Sequence, residues 1–169
     1  MTKEEFIGKP SNWGSHRHLL WMALEATKHF GLPVLELGCG DNSTPFLRRY
    51  CEDNNLELLS YDYDRDWAKK FNAFHVKHWD LQVDWGRQYG VVLIDESPGE
   101  HRKQSLMEAN SQITIIHDSE PIGWNASDYQ VRELFKWFKF TKDYQAPKPD
   151  AWTTALSNTI DVSKWDLSQ

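Results

Sequence analysis

Short apolar runs separated by polar, helix-like segments are the dominant pattern along the chain. Strands and helices that alternate in this way, with strands apolar throughout, are typical of a parallel sheet covered on both faces. The pattern therefore predicts an α/β fold with three layers. The predicted strands are Val34–Leu37, Leu56–Tyr61, Phe74–Lys77, Val91–Ile94 and Ile113–Ile116.

Local signals support the intervening helices. An apolar face formed by Leu19, Ala23, Ala26 and Phe30 predicts a first helix, which Gly31 ends. Serine, threonine and aspartate side chains at a helix start accept hydrogen bonds from its free N–H groups. Such signals predict further helices after Ser43-Thr44-Pro45, after Asp64, at the capping box Ser97-Pro98-Gly99-Glu100, and at Ser127 with Gln130.

Two more strand-like runs follow the last predicted helix, at Phe138–Tyr144 and Ala151–Ser157. Only the turn-rich segment 146–150 joins them, and a parallel crossover needs about a dozen residues, so we expect an antiparallel hairpin. The mostly parallel sheet thus ends in a C-terminal antiparallel hairpin. We predict a single domain over residues 1–169, with an N-terminal helical segment (1–32) and a core (33–160).

Composition and charge narrow the class of protein. The 169 residues carry a net charge of −6, whereas a nucleic-acid-binding protein needs a basic face for the phosphates. Two cysteines cannot build a disulfide framework, which favours a reducing compartment. No apolar run approaches the roughly eighteen residues of a membrane helix. We expect a cytoplasmic protein with neither a nucleic-acid nor a membrane partner.

A glycine loop carries the clearest functional signal. The strand ending Glu36-Leu37 runs straight into Gly38-Cys39-Gly40, and a helix begins a few residues later. Glycines let a ligand approach the backbone, and a helix N-terminus favours an anionic group. A dinucleotide fingerprint needs a further glycine or alanine where Ser43 stands. Glu36 instead suits a ligand with an ammonium group, which S-adenosylmethionine carries.

On these residues, the sequence resembles the class I, Rossmann-like S-adenosylmethionine-dependent methyltransferases. The resemblance covers nearly the whole chain, from the glycine loop and the acid after the second strand to the terminal hairpin. It implies S-adenosylmethionine as cofactor. The residues it implies are Glu36, Gly38, Cys39 and Gly40 at the methionine part, Asp62 at the ribose hydroxyls, and Trp79 and Asp80 at the adenine.

Polar residues follow the fourth and fifth predicted strands, at the edge where such sheets bind ligands. Asp95 and Asp118 lie at adjacent strand ends, with His117 beside Asp118 and His101 near the start of the following helix. We predict that these four are catalytic, because such a cluster can deprotonate an acceptor hydroxyl or hold a hard cation. The alternative is that His117 is a satisfied buried histidine and that His101 is a surface residue.

The same edge partly resembles the metal-dependent catechol-type O-methyltransferases. Asp95 and Asp118 match the two metal-binding aspartates of that family, which makes them candidate ligands for Mg²⁺ or another divalent cation. Ser119 stands in place of the expected asparagine, and Pro98 in place of the lysine base. Arg102 is expected at the surface.

The N-terminal segment 13–18 is expected to complete the pocket. Arg17 is a candidate partner of Asp118 or of an acidic acceptor, and the alternative is a solvated helix start. Trp13 and Trp124 are the aromatic candidates for contact with ligands, beside Trp79.

The sequence as a whole predicts a methyltransferase that acts on a small molecule, at oxygen rather than nitrogen. Two other classes stay open: an oxidoreductase on a dinucleotide-binding fold, and a non-catalytic S-adenosylmethionine-binding module or partner subunit. The short chain leaves an open acceptor side, which a second copy in a homo-oligomer can complete. The pattern does not specify the acceptor.

Overall fold

The computed structural model describes residues 1–8, 14–121, 129–145 and 152–167. The strands in these ranges, seven in number, form one sheet. They are β1 (Val34–Leu37), β2 (Leu58–Asp62), β3 (Phe74–His75), β4 (Tyr89–Ile94), β5 (Ser111–His117), β6 (Phe140–Gln145) and β7 (Trp152–Ser157). Their order across the sheet is β3-β2-β1-β4-β5-β7-β6.

The first five strands are parallel, and the last two are antiparallel. β1 pairs in parallel with both β2 and β4, and β4 pairs in parallel with β5. The β6–β7 hairpin adds to the edge of β5 through antiparallel pairing. The predicted α/β fold with its C-terminal hairpin is therefore confirmed. The chain changes direction across the sheet between β1 and β4, which is where ligands bind in such sheets.

Six α-helices lie in the described ranges: α1 (Lys3–Ile7), α2 (His16–Thr27), α3 (Thr44–Asp53), α4 (Arg65–Lys70), α5 (Trp79–Gln82) and α6 (Arg102–Glu108). Short 3-10 segments cover Lys28–Phe30, Gly99–His101, Val131–Trp137 and Val162–Lys164. Asp64 caps α4 as predicted, since its carboxylate accepts from two N–H groups of the first turn.

Three predicted helix features differ from the structure. Ser43 precedes α3 as predicted, but its side chain makes no capping hydrogen bond. Phe30 is 46% exposed, because the chain tightens into a 3-10 turn after α2 and carries the ring away from the apolar face. The capping box at Ser97–Glu100 is wrong: a 3-10 turn precedes α6, and no side chain caps either segment. Ser127 lies outside the described residues.

Alternate residues of the central strands face two apolar layers. In β4, Val91 and Leu93 pack with Leu20 and Leu24 of α2 on one face. Val92 and Ile94 pack on the other face with residues that include Leu106 of α6. Both faces of the sheet are thus covered, as an apolar parallel sheet requires. No helix in the part of the chain that the structure describes is long and apolar enough to cross a membrane.

Candidate active site

Two adjoining cavities lie at the carboxyl ends of β1, β2, β4 and β5. The smaller cavity, of about 300 Å³, is bordered by residues that include Gly38, Asp62 and Ser97. The larger cavity, of about 500 Å³, extends over Gly40 and Asn42 toward the end of β5. Both are bordered by Cys39, Trp67 and Asp95. The two cavities therefore meet at these three residues.

Gly38 allows the glycine loop to pass directly against the end of β4. Its φ is +88°, and a Cβ atom there would lie 2.4 Å from the backbone oxygen of Asp95. The N–H of Asp95 donates to the carbonyl of Leu37 at 2.8 Å, which fixes the same approach. Only glycine fits this position, so the loop and Asp95 are held in register by backbone packing.

Asp62, the last residue of β2, organises the smaller cavity. One carboxylate oxygen accepts from the N–H of Cys39 at 2.7 Å, and the other accepts from the N–H of Asp64 at 2.8 Å. Burial raises the pKa of Asp62. Because each carboxylate oxygen has more than one lone pair, Asp62 can hold the loop and still accept from a ligand hydroxyl.

Glu36 lies beneath the loop rather than in either cavity. Its carboxyl group is fully buried and accepts from the hydroxyls of Thr44 at 2.9 Å and Ser60 at 2.6 Å. Burial raises the pKa of Glu36 to about 7. This position does not agree with the predicted contact to an ammonium group, because the carboxyl group instead ties the start of α3 to β2.

The predicted adenine residues also lie away from the cavities. Trp79 is 4% exposed and packs in the apolar layer that contains Leu106, so its ring cannot stack on a ligand there. Asp80 is exposed on α5 and borders neither cavity.

Trp67 is the tryptophan that borders both cavities in the part of the chain that the structure describes. Its indole N–H donates to the carbonyl of Cys39 at 2.6 Å. Nothing in the sequence pattern signals that contact beyond the short helix that carries Trp67.

Four charged side chains form what we call the acceptor cluster: Asp95, Arg102, His117 and Asp118. Nδ1 of His117 lies 3.1 Å from Asp95 Oδ1 and 3.2 Å from Asp118 Oδ1. Burial by itself would lower the pKa of His117, but the two carboxylates raise it to about 10. His117 is therefore an imidazolium at neutral pH, and it lowers the pKa of both aspartates.

Arg102 completes the acceptor cluster from the start of α6. Its Nη2 lies 3.0 Å from Asp95 Oδ1 and its Nη1 lies 2.8 Å from Asp118 Oδ2. Nε and Nη1 also donate to the carbonyls of Glu96 and His117, at 3.0 and 2.8 Å. The expectation that Arg102 lies at the surface is wrong: it is 5% exposed, because it reaches from α6 across two strand ends.

The N-terminal segment reaches the larger cavity through His16, and not through the residue the sequence singled out. His16 Nε2 lies 3.2 Å from the carbonyl of Asn42, and burial lowers the pKa of His16 to about 4, so its ring is neutral. Arg17 stacks on Phe46 at 4.7 Å instead of pairing with Asp118. Trp13 and Trp124 lie outside the described residues.

His101 does not join the acceptor cluster. It is exposed at the end of the 3-10 turn before α6 and borders neither cavity. A side chain in this position cannot reach an acceptor bound among the other predicted residues, so its predicted catalytic role has no support in the structure.

The predicted cation site at Asp95 and Asp118 does not fit the residues present. Each carboxylate already faces Arg102 and His117, so two positive charges balance two negative ones. A hard cation takes about six or more oxygen ligands and would have to displace both partners. His16, Asp95 and His117 also bring one potential ligand atom each within 4.8 Å of the others. At that site too, His117 Nδ1 is already engaged by the carboxylates of Asp95 and Asp118, at 3.1 and 3.2 Å.

No protein-family model and no curated protein matches the chain. Solved structures do share its fold. The SAH-bound methyltransferase PaMTH1 of Podospora anserina aligns with a TM-score of 0.50 and 12% identity, over 81% of this chain and 76% of that one. The N-terminal domain of human METTL16 in complex with SAH aligns with a TM-score of 0.52 and 12% identity, over 90% and 73%.

Spermidine synthase from Thermotoga maritima also has this fold, with a TM-score of 0.56 and 17% identity. The alignment covers 90% of this chain and 63% of the synthase, so the chain spans less than two thirds of that protein. At such identities, the comparisons establish the fold. The chain has the fold that these SAH-bound structures share.

Proposed function

We propose that the protein is an S-adenosylmethionine-dependent methyltransferase that methylates an oxygen atom of a small molecule. One observation carries the proposal: a cavity built by the glycine loop and Asp62 opens onto a second cavity lined by buried and half-buried acid–base groups. The shared border at Cys39, Trp67 and Asp95 lets a reacting group in one cavity face an acceptor in the other. The fold, common to SAH-bound methyltransferases, supports the same reading.

The residues around the smaller cavity suit this cofactor. Asp62 offers carboxylate oxygens to ribose hydroxyls, and the Gly38–Gly40 loop exposes backbone without side chains that would block a ligand. The two cavities together fall within the several hundred Å³ that small-molecule sites occupy. When bound, S-adenosylmethionine supplies an electrophilic methyl group on its sulfonium.

The acceptor cluster suits an oxygen nucleophile. Asp95 and Asp118 can accept the hydrogen bond of an acceptor hydroxyl, while Arg102 supplies an N–H donor to its oxygen. Their mutual contacts hold all four side chains in place before an acceptor arrives, and such positioning supplies much of the rate in a direct displacement. A hydroxyl that meets both kinds of group is oriented and partly polarised.

The alternative with most support is a S-adenosylmethionine-binding module that does not catalyse. The low pKa values of Asp95 and Asp118 favour it, because they make these carboxylates weak bases. An oxidoreductase has less support, since Ser43 stands where a dinucleotide-binding loop needs a glycine or alanine.

Calorimetric titration with SAH and with NAD⁺, followed by transfer of a radiolabelled methyl group, separates these functions. We expect one SAH to bind per chain, no binding of NAD⁺, and label in hydroxyl acceptors but not in the matched amines. Asp118→Asn should reduce transfer at least about tenfold while SAH binding is kept. Tight NAD⁺ binding would contradict the proposal, and so would SAH binding with no transfer across a broad acceptor panel.

A further inference from the structure

We propose that Arg102 takes the place of a divalent cation at the acceptor site, so that methyl transfer by this protein needs no metal. The inference rests on the proposed function. It concerns the two aspartates that the sequence placed as metal ligands, and it follows from what occupies the space between them.

The guanidinium bridges the two carboxylates from the ends of β4 and β5. Asp95 Oδ1 and Asp118 Oδ2 lie 3.0 and 2.8 Å from two different nitrogen atoms of Arg102. This is the bridging position that a cation held by both aspartates would take. A planar fork with fixed N–H directions can span two carboxylates in this way, whereas a lysine ammonium would act as a single point charge.

The surroundings lock Arg102 in that position. Two further hydrogen bonds go to backbone carbonyls, of Glu96 at 3.0 Å and His117 at 2.8 Å, which do not move with side-chain rotamers. The ring of Tyr129 lies 4.7 Å from the centre of the guanidinium. Arginine stays charged at any pH that the fold tolerates. The positive charge at this site is therefore permanent, and no metal has to be recruited.

The position of the guanidinium opposes a metal beside it. Arg102 lies 3.0 and 2.8 Å from the two carboxylates, so a divalent cation held by both would have to displace this permanently charged group or lie directly against it. Removal of the guanidinium should therefore allow a divalent cation to bind. A variant without it leaves the two carboxylates facing the ring of His117, with a space between them.

The same geometry indicates which class of acceptor compound the site can bind. Four N–H groups of Arg102 have partners among the described residues, out of the five that arginine carries. Arg102 also borders the larger cavity, so its remaining N–H is available to one acceptor oxygen. A metal favours two vicinal oxygens that chelate it, whereas a single N–H needs only one. We therefore expect compounds with one hydroxyl to be methylated as well as the matching vicinal diols.

Electron paramagnetic resonance with Mn²⁺ as the probe tests the inference on the whole chain, without turnover. After dialysis against EDTA, the wild type should bind no Mn²⁺ at the acceptor cluster at millimolar metal. Arg102→Met, close in length but uncharged, should bind one Mn²⁺ per chain, and Asp118→Asn added to it should abolish that binding. Arg49→Met, which removes an exposed arginine, is the control and should behave as the wild type.

Two results would overturn the inference. One is a single Mn²⁺ bound by the wild type and lost in Asp118→Asn. The other is methyl transfer that stops in EDTA and returns with Mg²⁺. We expect instead that EDTA changes the wild-type rate less than about twofold, and that Arg102→Lys lowers it about 100-fold through misplaced carboxylates. If Arg102→Met does not fold, the wild-type measurements still decide. If the wild type neither transfers a methyl group nor binds Mn²⁺, the proposed function is contradicted. The occupation by Arg102 of the space between Asp95 and Asp118 is not.

Discussion

The two sides of the candidate active site are built in opposite ways. The cofactor side depends on backbone groups and local sequence: Gly38, Cys39 and Asp62 lie at the ends of two adjacent strands, and the main contact is a backbone N–H to a carboxylate. The acceptor side depends on charged side chains from β4, α6 and β5. The first can be read as a motif, whereas the second exists only once the chain has folded.

This difference also separates binding from chemistry. A site formed by backbone tolerates many side chains, provided that the glycine conformation is kept. A site formed by a buried charge network depends on every member, because the loss of one leaves an unbalanced charge among the others. Variants on the two sides should therefore fail in different ways.

Gly38→Ala should damage both sides together. Its Cβ would lie 2.4 Å from the backbone oxygen of Asp95, in a conformation with φ of +88°. We expect a loss of about 3 kcal/mol or more in the free energy of unfolding, measured by urea denaturation. Gly40→Ala is the control, because its Cβ would lie 3.7 Å from Ser43 Oγ and 3.9 Å from the backbone nitrogen of Asn42, and it should cost less than about 1 kcal/mol. Equal stability of the two variants would contradict this description of the loop.

Asp62→Asn should weaken the cofactor side alone. The amide keeps one acceptor oxygen but loses the charge that strengthens the bond from the N–H of Cys39. We expect SAH binding to weaken about 100-fold by calorimetry, close to 3 kcal/mol. Asp66→Asn, an exposed change on the adjacent helix, should leave affinity unchanged. Affinity for SAH that is unaffected in Asp62→Asn would remove Asp62 from the site.

Glu36→Gln should change how stability depends on pH. Burial raises the pKa of Glu36 in the folded protein from the ordinary 4.5 to about 7. The folded state therefore binds more protons than the unfolded state over this range, and this residue's contribution to stability falls as pH rises from about 4.5 to 7. An amide cannot ionise, so the variant does not lose this contribution. Its free energy of unfolding, relative to that of the wild type, should rise by an amount on the order of 2 kcal/mol between these pH values.

Denaturation of both proteins across this pH range measures the difference. Comparison of the two removes the contributions of other titrating groups, and a fixed offset from the altered hydrogen bonds does not affect the slope. A difference in stability that is constant with pH would show that Glu36 titrates normally, and so that it is not sealed beneath the loop.

Trp67→Phe should have the smallest effect. The change keeps an aromatic ring at the border of the two cavities but removes the N–H that donates to the carbonyl of Cys39 at 2.6 Å. One such bond contributes about 1 kcal/mol, so SAH affinity should fall about fivefold. Trp137→Phe is the matched control, since this indole is 59% exposed and borders neither cavity. The same fall in both variants would exclude a specific role for Trp67.

Sequence predicted the sheet well because the signals were local. The run Val34–Leu37 matches β1 at both ends, and Asp62 and Asp95 lie at the strand ends where the pattern placed them. β3 is shorter than predicted, since only Phe74 and His75 pair with β2. Apolar runs bounded by turns or acidic residues thus predict the strands. The polar residues at the ends of those strands are then the candidate site residues.

The incorrect predictions for individual site residues have a different cause. Arg102 stands at the start of a helix, where a charged residue is ordinarily solvated, and only the fold brings it between Asp95 and Asp118. Glu36 appeared exposed to a ligand, but hydroxyls from Thr44 and Ser60 close over it. In both cases the deciding partners lie on other elements, and a pattern along one segment does not contain them.

A crystal structure with bound SAH would show whether the two cavities divide the cofactor from the acceptor. We expect the ribose hydroxyls within hydrogen-bond distance of Asp62, and the sulfur atom at the border of the two cavities, among Cys39, Trp67 and Asp95. The face of the sulfur that carries the methyl group in the cofactor should point toward Arg102 and His117. SAH bound elsewhere on the chain, or with its sulfur turned away from the larger cavity, would contradict the account.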